Sequence, residues 1–127
     1  MSFWRTYYHL IWATESRQSL ITGDRESELY GYIIGKADAI GCIIHAVGGV
    51  EDHIHLVASI PPKLSVAEFV KRIKGSSAYH LNHIPSASSL AFSWQHRSKA
   101  SALSNMPTVN KNTSRHRLLV MLAENWV

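Results

Sequence analysis

The chain predicts an α+β domain of element order β-α-β-β-α-β, and three features carry that prediction. Two segments with helical periodicity, opening at Thr22-Gly23-Asp24 and at Ser65, alternate with blocks rich in β-branched and aromatic residues. The acidic pair Glu51-Asp52 divides the central block into two strands. Pro61-Pro62 closes that block, because proline donates no hydrogen bond to a ladder.

The first strand is Tyr7 to Thr14, with Tyr8, Leu10 and Trp12 on one face and Tyr7, His9 and Ile11 on the other. In the first helix Asp24, Glu26 and Glu28 crowd the N-terminal turns, where the helix dipole favours acids. Leu29, Tyr32, Ile33, Ala37 and Ile40 form its apolar stripe, and Gly41 is placed to end it. Cys42 to Val50 and His53 to Ile60 read as a hairpin turning at Glu51-Asp52, with Gly48-Gly49 as the alternative turn. Ser65-Val66-Ala67-Glu68 is a capping box, so the second helix starts at Val66 and buries Val66, Phe69, Val70, Ile73 and Leu81. Gly75 within it costs roughly 1 kcal/mol relative to Ala, which suggests close approach of another backbone or a ligand. Pro85 and Ser86 to Ser89 form a loop, and Leu90 to Gln95 is a short fourth strand.

This order is the ferredoxin-like split βαβ unit: a four-stranded antiparallel sheet with two helices on one face, the other face being left for a ligand. The reading divides the chain into a domain over 1–95 and a divergent tail over 96–127, irregular except for a weak helix near Leu118 to Ala123. Hydrophobic residues make up 46% and charged residues 17%, as in ordinary globular domains, and no apolar run is long enough to span a bilayer. The lone Cys42 forms no internal disulfide and Met1 to Arg5 does not resemble a secretory signal, so a cytoplasmic location is expected. Cys42 itself lies among apolar residues and reads as core. A net charge of +4 permits a polyanionic partner without requiring one.

His53-Ile54-His55 is the most informative motif. A strand alternates its side chains, so the two imidazoles share a face, about 7 Å apart along the strand, while Ile54 takes the other. Neutral imidazole is the commonest protein ligand for divalent metals, and a third group completes such a site. Glu51 or Asp52 is a candidate third ligand, although acids in a tight turn are ordinarily solvated. Lys71, Arg72 and Lys74, with Ser76 and Ser77 beside Gly75, are candidate DNA contacts, and a solvated helix face predicts the same charges. Tyr8, Trp12 and Trp94 are candidates for stacking bases or for core packing.

Several motifs in one order resemble a known family. They are Tyr7 to Thr14, Gly48 to Leu56 with its two histidines, Pro61-Pro62, Lys74-Gly75-Ser76-Ser77 and Phe92-Ser93-Trp94-Gln95. Together they are similar to the single-tyrosine HUH transposases of bacterial insertion sequences, REP-associated tyrosine transposases among them, over Trp4 to Gln95. The resemblance implies that His53 and His55 hold Mg²⁺ or Mn²⁺ with a polar residue from a C-terminal helix. It implies further that a tyrosine on that helix attacks a single-stranded DNA phosphate to give a 5′-phosphotyrosine link. It also implies a homodimer, in which one subunit's tyrosine helix completes the other's site, and recognition of DNA hairpins.

The chain departs from this pattern after the fourth strand. Its tyrosines are Tyr7, Tyr8, Tyr30, Tyr32 and Tyr79, and none follows Gln95. Tyr79 lies within the second helix and is a poor substitute nucleophile. His96-Arg97-Ser98-Lys99 stands where the family has a stretch rich in glycine and aromatics. A change of reading frame would account for both departures: one of the codings open to Asn112 to Arg117, AAT ACG TCG AGG CAC AGA, reads Tyr-Val-Glu-Ala-Gln from the third base, and the gene's own codons test it. The catalytic residue is therefore unassigned and strand transfer by this copy is expected to be impaired. The alternative function is a noncatalytic nucleic-acid-binding module; a third reading is a nonfunctional fragment whose tail prevents dimer assembly.

Overall fold

A computed structural model describes residues 6–84 and 90–103. Its elements are β1 (Thr6–Thr14), a short 3-10 turn (Glu15–Arg17), α1 (Gly23–Ala39), β2 (Ile43–Val50), β3 (His53–Ile60), α2 (Val66–His83) and β4 (Trp94–Leu103). The strands form one antiparallel sheet in the order β2-β3-β1-β4, the ferredoxin-like arrangement expected from the sequence. The loop expected over Pro85 to Ser89 and the helix expected near Leu118 to Ala123 lie outside the described residues.

Alternation sorts the central strands into two faces. Leu10 and Trp12 of β1, with Ile54 and Leu56 of β3, meet Leu29 and Ile33 of α1 and Phe69 and Ile73 of α2, all 2% exposed or less. Each such side chain contributes about 1.5–3 kcal/mol on burial. Cys42 joins this core, as expected. The opposite face carries Tyr7, His9, Ile11 and Ala13 against Ser59, Val57, His55 and His53. The middle of that face is not solvent-exposed: His9, His55, Val57 and Ser59 are all buried. His53, at the end of β3, keeps 24% of its side chain exposed.

The helix boundaries follow local chemistry. Ser65 Oγ accepts from Glu68 N at 3.0 Å, while the Glu68 carboxylate pairs forward with Arg72 at 3.1 Å. Gly41, at φ 83°, adopts the left-handed conformation that ends α1, and Cys42 N donates to Ala37 O at 2.8 Å. Arg25 is buried in the first turns of α1. Its Nη1 donates to Leu20 O at 3.0 Å, its Nη2 donates to Leu90 O, and its guanidinium lies 5.6 Å from the centre of the Phe92 ring.

The fourth strand runs Trp94–Leu103, not Leu90 to Gln95. Asn82 clamps Phe92 from both sides, accepting from its N at 2.7 Å and donating to its O at 2.9 Å, and so removes those backbone groups from any ladder. The strand then continues through His96 to Leu103, paired with β1. That stretch looks irregular in sequence because β4 pairs only with β1, so it carries exposed polar residues on one side and small residues on the other.

Gly48 and Gly49 lie within β2, and the hairpin turns at Glu51-Asp52. A Cβ on Gly49 would collide with the His53 carbonyl oxygen and lie 2.9 Å from Ile54 Cα. Gly49→Ala is expected to destabilise the domain by about 1–3 kcal/mol, as overpacking does, and to lower the thermal midpoint accordingly. An unchanged midpoint would show that β2 and β3 part without cost.

Candidate functional site

His53 and His55 project from the same face of β3, their ring centres 5.0 Å apart. Both rings have their Nδ1 engaged. His53 Nδ1 bonds to Asp52 Oδ1 at 2.7 Å, and His55 Nδ1 lies 3.3 Å from His9 Nε2 across the β1–β3 ladder. A hydrogen bond at a ring nitrogen restrains the orientation of each imidazole. Burial pushes the His9 pKa down to about 4, so at neutral pH it meets His55 as an uncharged ring.

Asp52 is therefore not simply a solvated turn residue. Its Oδ2 accepts from Arg17 Nε at 3.2 Å while its Oδ1 holds His53. Partial burial opposes ionisation, but the hydrogen bonds and charges of His53 and Arg17 outweigh it and hold the carboxyl below its ordinary value. With both oxygens so placed, Asp52 holds the His53 ring on one side and Arg17 on the other. Glu51 contributes its backbone, its carbonyl accepting from Ile21 N at 2.9 Å. Among the described residues there is no group of three or more His, Cys, Asp or Glu side chains able to hold a metal. Two imidazoles on one strand face, 5.0 Å apart between ring centres, suit the nitrogen part of a mixed coordination shell.

The five candidate DNA contacts on α2 are not equivalent. Lys71 is exposed, and Ser76, half-buried, donates from Oγ to Arg72 O at 2.6 Å. Arg72 is exposed and paired with Glu68. Lys74 reaches across to β4, donating to Arg97 O at 3.4 Å and Ser98 Oγ at 3.2 Å, and partial burial pulls its pKa down. Ser77 is fully buried, donates to Lys74 O at 3.3 Å and accepts from Trp94 Nε1 at 3.0 Å. No neighbouring atom within 4 Å would meet a Cβ on Gly75, so among the described residues no backbone packs against it. It faces instead a groove of about 660 Å³ between α2 and β4, rimmed by Lys71 and Lys74 and floored by Phe92 and Trp94. Trp12 and Trp94 meet edge to face at 6.0 Å in the core, which removes them as exposed stacking surfaces, and Tyr8 packs partly buried against the same core. Tyr79 is exposed on α2, stacked on His83.

A family model described as transposase, IS200-like, matches residues 2–112. The chain belongs to the IS200-like transposase family. This IS200-like transposase is 32% identical over 71 residues to the ISDra2 transposase TnpA of Deinococcus radiodurans, 56% of this chain and 51% of that protein. It thus spans about half the length of that relative. It is 27% identical over 112 residues to the transposase of insertion sequence element IS200 of Salmonella typhimurium, covering 88% of this chain and 72% of that one. The fold matches the crystal structure of a Deinococcus radiodurans protein assigned as a transposase, with TM-score 0.69, 23% identity and coverage of 98% and 92% of the two chains. It also matches a REP-associated tyrosine transposase bound to a REP hairpin, with TM-score 0.57, 17% identity and coverage of 81% and 58%.

The transposase's His53 and His55 were legible in the sequence as a pair. Their supporting residues were not all legible. His9 shows in the sequence only as a histidine on the matching face of β1, and Asp52 only as a turn acid. The cations Arg17, Arg97 and Lys99, which line a cavity with His53, went unread because two of them fall in the stretch taken for an irregular tail.

Proposed function

We propose that this IS200-like transposase binds hairpin-bearing single-stranded DNA with His53 and His55 at the phosphate backbone, and holds it without forming a covalent link. The observation that carries the reading is the pair of imidazoles on one face of a central strand, their ring centres 5.0 Å apart and each with Nδ1 engaged. The REP hairpin bound to a relative of the same fold supports a hairpin as the DNA form. His53 and His55 are the residues that would hold Mg²⁺ or Mn²⁺, with Asp52 and His9 restraining the two rings. A cation there supplies charge neutralisation at phosphodiester oxygens. Lys71, Arg72 and Ser76 contact backbone phosphates from the exposed side of α2, and Lys74 keeps β4 against that helix. Homodimerisation and a cytoplasmic location belong to the same reading. Among the described residues no helix is long and apolar enough to cross a membrane.

The noncovalent outcome follows from the absence of tyrosine between Trp94 and Val127. A phosphotyrosine link needs a tyrosine hydroxyl at the phosphate, and Tyr79 lies on α2, stacked on His83, rather than on a helix after β4. Fluorescence anisotropy with a labelled hairpin oligonucleotide and a fully paired duplex of the same sequence tests the binding. The hairpin with its single-stranded flank is expected to bind at least tenfold tighter; equal affinity for the duplex would sink the reading.

A further inference from the structure

We propose that the gap where β1 and β4 separate is a phosphate pocket, in which Arg17, Arg97 and Lys99 hold a backbone phosphate of single-stranded DNA beside His53. The proposal rests on the reading that this chain binds single-stranded DNA, and it names residues that neither the family resemblance nor the α2 cations supply.

The gap is built into the ladder. Pairing of β1 with β4 is regular from Tyr7↔Leu103 to Trp12↔Ser98, and the next pair is Thr14↔Trp94. Gln95, His96 and Arg97 therefore stand opposite Ala13 alone. Bulges of this kind split a sheet locally and re-aim side chains, and they concentrate beside functional sites. Here the split leaves a cavity of about 230 Å³ whose wall includes His53, Arg17, Arg97, Lys99, Ser98 and Trp12. Lys74 pins the irregular segment from the α2 side through Arg97 O and Ser98 Oγ.

The wall is chemically one-sided. Three cations line it and, among the described residues, no carboxylate does. Asp52 lies near but engages Arg17 through Nε alone, so the other guanidinium nitrogens of Arg17 keep their donors for an anion. The backbone that delivers Arg17 is also unusual. Ser16 and Arg17 sit at φ 53° and 54°, the left-handed region that non-glycine residues seldom occupy, and such conformations gather where function holds them.

These features select a phosphate over a base. A base would need an exposed aromatic face for stacking, and the wall's aromatic residue, Trp12, is 2% exposed. A phosphate needs N–H donors and positive charge, which Arg17, Arg97 and Lys99 supply. The pocket shares His53 with the candidate metal site, so a strand laid along the imidazoles would place consecutive phosphates at the two positions.

The test is the salt dependence of hairpin oligonucleotide binding by the full chain, measured by anisotropy over a series of KCl concentrations. Each phosphate contact on single-stranded DNA adds about 0.7 to the slope of log K against log salt. Arg97→Ala with Lys99→Ala is expected to reduce that slope by about 1 and weaken binding about tenfold, with Arg97→Gln with Lys99→Gln reproducing the loss. Lys63→Ala, exposed at the far end of β3, should leave both quantities unchanged. An unchanged slope in both double variants overturns the pocket while leaving DNA binding intact. The pocket is equally overturned, in favour of a free-anion site, if that unchanged slope accompanies a melting shift with inorganic phosphate that the double variants lose. Absence of oligonucleotide binding by the wild-type chain at every salt concentration overturns the DNA reading itself, and the pocket with it.

Discussion

Arg25→Ala is expected to destabilise the domain by about 3 kcal/mol and to lower its thermal midpoint by roughly 10 °C. The guanidinium is 2% exposed and donates to two carbonyls, Leu20 O and Leu90 O, from segments that no strand ladder ties together. Hydrogen bonds from a charged donor contribute about 1.5–3 kcal/mol each, and truncation also leaves a void beside the Phe92 ring. The effect reaches the site. The segment held at Leu20 continues to Ile21, whose N–H bonds to Glu51 O in the turn just before His53. Arg25→Met keeps most of the packing and loses the donors, so it should fall between wild type and Arg25→Ala. Thermal and urea unfolding of the three proteins checks the order; a loss under about 0.5 kcal/mol in Arg25→Ala would show that water replaces the guanidinium freely.

The second large effect is expected at the histidine pair. For a site with a dissociation constant of about 0.1 mM, Mn²⁺ at about 1 mM stabilises the folded state by about 1.4 kcal/mol, a midpoint shift of several degrees. His53→Ala with His55→Ala should remove that shift completely. Asp52→Ala should reduce it without abolishing it, because both imidazoles remain and only the ring orientation of His53 is released. Both variants may be compared at equal starting stability by adding low urea to the more stable protein. The same Mn²⁺-induced shift in the double histidine variant would place the cation elsewhere on the chain.

The order of elements was legible because the core is written in periodic apolar residues: Leu10 and Trp12 alternate on β1, and Leu29, Ile33 and Ala37 stripe α1. The fourth strand was misplaced because its identity depends on long-range pairing. Phe92 is apolar yet clamped out of the sheet by Asn82, while Arg97, Ser98 and Lys99 look like loop residues yet lie on an edge strand. The same distinction runs through the site. His53 and His55 are two residues apart, so strand geometry alone puts them together. His9 reaches His55 from 46 positions away, and Arg17 reaches Asp52 from 35. Ser77 looked like a surface hydroxyl beside Gly75 and is instead the buried acceptor for Trp94 Nε1. Arg25, flanked by Asp24 and Glu26, carries no sequence sign that it turns inward.

The most direct measurement of the central claim resolves the chain under denaturing conditions after incubation with labelled hairpin-bearing single-stranded DNA and Mn²⁺. The account predicts a native complex by gel shift that disappears entirely on denaturation, because no tyrosine after β4 is present to form a phosphotyrosine bond. A labelled adduct that survives denaturation, with mass spectrometry naming the linked residue, would contradict it and show that this chain keeps a working nucleophile.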